Sequence, residues 1–194
     1  MNKPDKSLQH YLSNRRSIPA FQMSEPGPGR DEILAILKHA SRVPDHGKLA
    51  PWRFIVWTGD RRRTISMALA AIAKADKPEM APDMIKVEET RFMRAPVVIG
   101  VISRAAPHVK IPVWEQVMSA GAVCLNVLIA ANAAGYVSNW LTEWMAYDAR
   151  AHAILGVEPG ERVPGFIHIG SSDFHPGDRP RPELSDIVTF VGDD

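Results

Sequence analysis

One cysteine, Cys124, stands in a chain of 194 residues. Without a second thiol there is no intrachain disulfide and no cysteine-based zinc cluster. Excess charge is lacking too: 23 Lys and Arg against 22 Asp and Glu leave a formal +1. That balance excludes a duplex-DNA binder working mainly through backbone attraction, which needs a broad cationic face. It leaves room for a local cationic pocket that takes one phosphate. No G-x-G-x-x-G follows a strand pattern and no G-x-x-x-x-G-K-[ST] occurs, so the common nucleotide-binding loops are absent. Ser17, Ser41, Ser119 and Ser138 lack a G-x-S-x-G elbow, which leaves a hydrolase triad without support. His39, His46, His108, His152, His168 and His175 show no ligand spacing, and no metal site is expected. A membrane-spanning run is missing as well. The longest apolar tract, Ala120 to Val137, is interrupted by Asn126 and Asn132 and rich in small residues, so it reads as a buried helix. Met1 to Gln9 is polar and carries no apolar leader core. A soluble cytoplasmic protein with one core is the expected class, and residues 1–194 are taken as a single domain.

What is present is concentrated between Arg42 and Phe54. That stretch puts two prolines, a glycine, a histidine, a tryptophan and two arginines between a helical pattern and an apolar strand. The rest of the chain alternates helices with three or four strands. Helical patterns cover Lys6 to Asn14, Asp31 to Ser41, Arg61 to Lys74, Asp83 to Met93, Trp114 to Ala134 with Gly135 as its cap, and Tyr147 to Leu155. Arg53 to Thr58 and Val97 to Ile102 are nearly continuous in apolar character and fit strands buried on both faces. Tyr136 to Trp140, Phe166 to Gly170 and Ile187 to Val191 are further β-like segments. The pattern is α/β or α+β.

Several groups carry candidate chemistry. Arg15, Arg16 and Ser17 follow a helix, and Arg179 and Arg181 lie in a distant proline-rich loop; guanidinium forks and a hydroxyl suit a phosphate, or else form solvent-exposed basic turns. His46, pinned by Pro44 and Asp45, can donate to a cofactor with Arg42 in support, or cap local backbone. Five tryptophans suit a planar cofactor and a helix–sheet core equally. Small residues at Ser119 to Ala122 leave room for a ligand or for tight helix packing, and Cys124 reads as an inert core thiol.

Taken in order, Arg15-Arg16-Ser17, Val43-Pro44-Asp45-His46, Pro51-Trp52, Val113-Trp114-Glu115-Gln116-Val117-Met118-Ser119-Ala120-Gly121 and Gly165-Phe166-Ile167-His168-Ile169-Gly170 resemble the FMN-dependent nitroreductases. The small, minimal bacterial NAD(P)H nitroreductases are the nearest type, and the resemblance runs from about Ser13 to Phe190. It implies an α+β fold with a mixed central sheet flanked by helices. It implies an interlocked homodimer with FMN at the subunit interface, and a C-terminal Ile187 to Val191 that reaches the partner sheet.

The resemblance also implies site residues. Arg15 and Ser17, with Arg16 close by, would hold the FMN phosphate and ribityl end, helped by Arg181. Arg42 and His46 would lie on the flavin, and Trp140, Leu141 and Thr142 on its opposite side. Ser119, Ala120, Gly121, Ala122, Val123 and Cys124 would meet the nicotinamide of NADH or NADPH. Many relatives have glycine after the position matched by Thr142, where a backbone N–H approaches flavin N5, whereas this chain has Glu143 and then Trp144. The implied reaction is a ping-pong cycle: hydride passes from nicotinamide to flavin N5, then to a nitroaromatic, quinone or similar small acceptor. No side-chain nucleophile is needed, and Arg42 or Arg53 would supply positive charge near the flavin. A specialised FMN enzyme of the same fold, for reductive dehalogenation or flavin fragmentation, and a non-catalytic flavin-binding protein remain alternatives.

Overall fold

The strand Val97–Ser103 is buried along its whole length, which is why its sequence shows no polar alternation. It becomes β2 of a four-stranded sheet with β1 (Trp52–Thr58), β3 (Val137–Leu141) and β4 (Arg162–Gly170), in the order β1-β2-β4-β3. A computed structural model describes residues 6–192 of the chain. Every neighbouring pair of strands in it is antiparallel, where a mixed sheet was expected. β1 is an edge strand paired only with β2, so Val56 stays partly exposed and the expected burial of β1 on both faces does not occur.

Side chains alternate across the sheet, and each face has its own core. Val97, Ile99, Val101, Ile167 and Ile169 point to one face. There they meet α2 (Arg30–Ala40) through Ile33 and Ile36, and α5 (Val113–Ala133) through Ala120, Val123, Cys124, Val127 and Ala131. The small side chains of α5 let its backbone approach the strands closely. Val98, Ile102 and Phe166 point to the other face. They meet α3 (Arg61–Asp76), α6 (Ala149–Leu155) and a 3-10 turn at Arg91–Arg94. Trp57, Phe92 and Phe166 pack there as an aromatic cluster with centroids 5.2 to 6.0 Å apart. Each fully buried aromatic or large aliphatic side chain contributes about 1.5–3 kcal/mol.

The single helix expected over Asp83 to Met93 is divided. α4 is Pro82–Glu89, and the 3-10 turn follows after Thr90. The Thr90 hydroxyl donates back to the Lys86 carbonyl, and the Phe92 N–H is drawn inward to the Ser66 hydroxyl at 3.0 Å, which re-aims the chain so that Phe92 enters the core. Two further helices are short: α1 (Lys6–Asn14) and α7 (Leu184–Ile187). The β segment expected at Ile187 to Val191 is absent. α7 ends at Ile187, and the residues after it pair with no strand among the described residues.

By contact the chain divides into two units. Ser17–Phe174 contains the sheet and both cores; the other pairs the two ends, residues 6–16 with residues 175–192.

Candidate functional site

The segment between α2 and β1 is a loop closed by its own hydrogen bonds. Asp45 sits at its start and accepts the N–H groups of Leu49 at 3.1 Å and Ala50 at 2.9 Å. Closing the loop this tightly forces left-handed backbone at Gly47 (φ 72°), Lys48 (φ 57°) and Ala50 (φ 45°). Gly47 has a second reason to lack a side chain: a Cβ there would lie 2.4 Å from Ile111 Cδ1. α5 holds the loop from one of its faces, where Glu115, Ser119 and Asn126 fall in line. The Ser119 hydroxyl donates to the Pro44 carbonyl at 2.6 Å, and Asn126 donates to the Arg42 carbonyl at 3.2 Å. His46 Nδ1 lies 2.7 Å from the Glu115 carboxylate, which can only accept, so Nδ1 carries the proton. The imidazole is 63% exposed, so its other edge is open to a ligand. The Arg42 side chain, four residues earlier, is also exposed. Arg53 is committed elsewhere, to Glu161 at 2.7 and 2.6 Å and to the Gly156 carbonyl at 2.7 Å. Its hydrogen bond to Glu161 raises its pKa further. Of the two arginines considered for charge near a flavin, only Arg42 is free to supply it.

The end of β3 forms a second structured segment. Trp140 lies flat over Gly165, donating from Nε1 to the Pro164 carbonyl at 2.9 Å; a Cβ on Gly165 would fall 2.1 Å from that nitrogen. Leu141 and Thr142 follow, half-buried. Glu143 then takes φ 57° and ψ 177°, a combination that is essentially glycine's. Its carboxylate accepts from Arg91 at 2.5 Å and from Arg94 at 3.0 and 2.5 Å. Arg91 also pairs with Glu88, which accepts from Trp144 Nε1 at 3.0 Å. Burial pushes the Glu88 carboxyl up, but the hydrogen bonds and charges of Arg91, Trp144 and Arg94 outweigh it and hold the pKa below the usual carboxylate range. His168 on β4 is fully buried, and neither ring nitrogen has a hydrogen-bond partner. Burial and then the Arg94 charge lower its pKa to about 4, so the ring is neutral at pH 7.

Sequence reasoning missed Glu88, Arg91, Arg94 and His168 as a group. The available signal was Glu143 itself, the one charged residue in the run Tyr136 to Tyr147, which asks for a cationic partner. Arg91 and Arg94, flanking Phe92 at helical spacing, were the candidates.

The expected nicotinamide segment narrows. Ala120, Val123 and Cys124 are fully buried and face the core, so their side chains cannot touch a ligand outside it. Burial pushes the Cys124 thiol up to about 12, consistent with an inert core residue. Ser119 is committed to Pro44. Gly121 and Ala122 remain partly exposed, beside Trp114, Met118 and Leu125 on the outer face of α5.

In the unit made of the two ends, Arg16 and Arg181 converge on one carboxylate. Asp178 lies 3.9 Å from Arg16 Nη1 and 3.6 Å from Arg181 Nη2. Arg16 Nη1 is buried and makes no hydrogen bond. Two guanidinium groups facing one negative charge leave a surplus positive charge and an unused buried donor, which suits an anionic group such as a phosphate. Arg15 anchors through its backbone N–H to the Tyr11 carbonyl at 2.8 Å. Ser17 is the first residue of the larger unit and is exposed.

Known proteins share this fold. The model of the Nitroreductase family matches residues 12–171. The Escherichia coli K12 protein named "Putative NAD(P)H nitroreductase YdjA" is 33% identical over 162 residues, 82% of this chain and 85% of its own length. Among solved structures, a nitroreductase-like family protein from Bacillus cereus superposes with a TM-score of 0.82 at 20% identity, covering 98% of this chain and 99% of that one. The FMN-dependent nitroreductase NfnB from Mycobacterium smegmatis, in complex with NADPH, gives 0.73 at 17% identity, covering 95% and 98%.

Proposed function

This chain belongs to the nitroreductase family, and we propose that it is a cytoplasmic, FMN-dependent NAD(P)H oxidoreductase acting on flat, electron-poor acceptors such as nitroaromatics and quinones. One observation carries the reading: 33% identity, across 82% of the chain, to the protein named "Putative NAD(P)H nitroreductase YdjA". Bound FMN supplies the redox chemistry, accepting from NADH or NADPH and giving to the acceptor.

The protein's part is to bind, orient and tune. Arg15, Arg16 and Arg181 hold the phosphate, with Ser17 at the ribityl end; the unused buried donor on Arg16 supports this. Arg42 supplies positive charge toward the ring, and His46 donates from its open edge while Glu115 fixes its orientation. Trp140, Leu141 and Thr142 line the other side. Gly121 and Ala122 leave room for the nicotinamide. A second copy of the chain covers the apolar outer face of α5, where Trp114 is 68% exposed and Met118 and Leu125 lie on the same stripe, and FMN sits at that interface. The exposed Phe190 and Val191 at the C-terminal end add apolar surface for the partner.

An anaerobic absorption spectrum of the purified protein, before and after each nicotinamide, tests the reading. A yellow protein bleached by NADH or NADPH is expected; a colourless protein that takes up no FMN overturns it. Arg16→Ala should weaken FMN binding about 10- to 150-fold, the range of one charge-assisted hydrogen bond, as read by flavin titration.

A further inference from the structure

We infer that Glu143, through its ion pairs with Arg91 and Arg94, is a positioning residue that locks the peptide between Thr142 and Glu143 in a glycine-type conformation against the flavin. The inference rests on the FMN reading above. It begins from an outlier. A residue with a side chain at φ 57° and ψ 177° is strained, and such strain persists only where the surroundings over-determine it. Here the surroundings are identifiable. Three charge-assisted hydrogen bonds from Arg91 and Arg94 grip the carboxylate, and the next residue, Trp144, is tied by its indole N–H to Glu88. Both sides of the turn are therefore fastened to α4 and the 3-10 turn behind it. Among the described residues the Glu143 N–H donates to no acceptor, so the turn holds a spare donor.

A plain turn does not need this arrangement. Glycine would adopt the same backbone without strain, but it would also leave the turn mobile. The carboxylate adds rigidity, and it adds charge balance. Arg91 and Arg94 against Glu88 and Glu143 form a neutral cluster, which removal of the Glu143 charge would leave net positive. Positive charge near a flavin favours its reduced, anionic form. Glu143 thus sets both the position of the turn and the potential of the ring beside it.

Two variants separate these effects from simple folding. Glu143→Gln keeps the size and removes the charge; Glu143→Gly removes charge and strain together. Amide exchange is measured on the apo protein at Ala146 and Tyr147, whose N–H groups donate to the Glu143 and Trp144 carbonyls at 3.2 and 3.0 Å. The FMN midpoint potential is measured on the loaded protein. Both variants should speed exchange at those two amides by roughly tenfold or more, the effect of losing at least one of the three charge-assisted bonds. Both should raise the FMN potential, and the melting temperature of Glu143→Gly should fall less than that of Glu143→Ala. Unchanged exchange and unchanged potential in a wild-type-like fold overturn the inference, as does a lowered melting temperature with the potential unmoved. If the wild-type protein takes up no FMN, the parent reading fails instead and the flavin role falls with it; the exchange result then reports whether the ion pairs restrain the turn at all.

Discussion

Among the described residues two turns hold non-glycine residues at positive φ, and they are built in opposite ways. The loop at residues 47–50 is exposed and held by neutral or single-charge hydrogen bonds: Asp45 to two backbone N–H groups, Ser119 to Pro44, Asn126 to Arg42. The turn at Glu143 is half-buried and held by two arginines, one of which, Arg91, is itself paired with the buried Glu88. The first can loosen locally while both cores persist. The second cannot, because each charge released is left in a poorly solvated place. The lesson is that similar backbone strain carries different risk, set by what the restraining groups do once freed.

The sharpest way to break the contrast is Glu143→Ala. It should lower unfolding free energy by about 3 kcal/mol, because Arg91 and Arg94 lose a shared partner while partly buried; urea denaturation at pH 7 measures it. A loss within experimental error would mean that water replaces the carboxylate, and the two turns would be alike.

A comparable effect is expected from His168, behind the second turn. Its folded pKa, about 4, lies below the unfolded value of 6.5. The unfolded chain therefore binds the extra proton first. The stability tied to the neutral ring is complete above the unfolded pKa and is lost as pH falls from 6.5 towards 4, up to about 3 kcal/mol in all. His168→Leu should flatten the stability profile across that window, without a penalty at pH 7, since the ring nitrogens have no partners to lose. A profile as steep as that of the wild type would assign the acid sensitivity to another group.

Gly47→Ala probes the exposed loop. Positive φ and the contact with Ile111 together should reduce stability by about 1–3 kcal/mol and disturb the flavin spectrum, because His46 is adjacent. A spectrum identical to the wild type's would detach the loop from the cofactor. The smallest effect on folding is expected from His46→Ala. An exposed ion pair contributes little, so the melting temperature should hold while the flavin potential or spectrum shifts. If all three stay constant, His46 has no part in the site.

Much of the architecture was legible because burial imposes periodicity. The all-apolar run of β2, the small-residue face of α5 and the cap at Gly135 are local signatures of their environments, and each element lies where its pattern predicts. β1 misled because its apolar run resembles that of β2, and the number of neighbours a strand acquires is not encoded in the strand itself. Ile187 to Val191 misled for a related reason: β-like composition forms a strand only when it pairs with a neighbour, and composition does not supply one. The candidate site was legible as motifs. Pro44, Asp45 and His46 form a structured loop, and Arg16 and Arg181 meet at one carboxylate despite their distance in sequence. What stayed hidden was commitment: Arg53 was already spent on Glu161, and half of the Ser119 to Cys124 segment on the core.

By itself the sequence determined the order of the main helices and strands, the family and the inventory of charges, since these follow from local pattern and composition. Tertiary structure alone decided which charges are free, which are paired and which backbone is strained. Those properties depend on neighbours far apart in the chain, and on how much water is left between them.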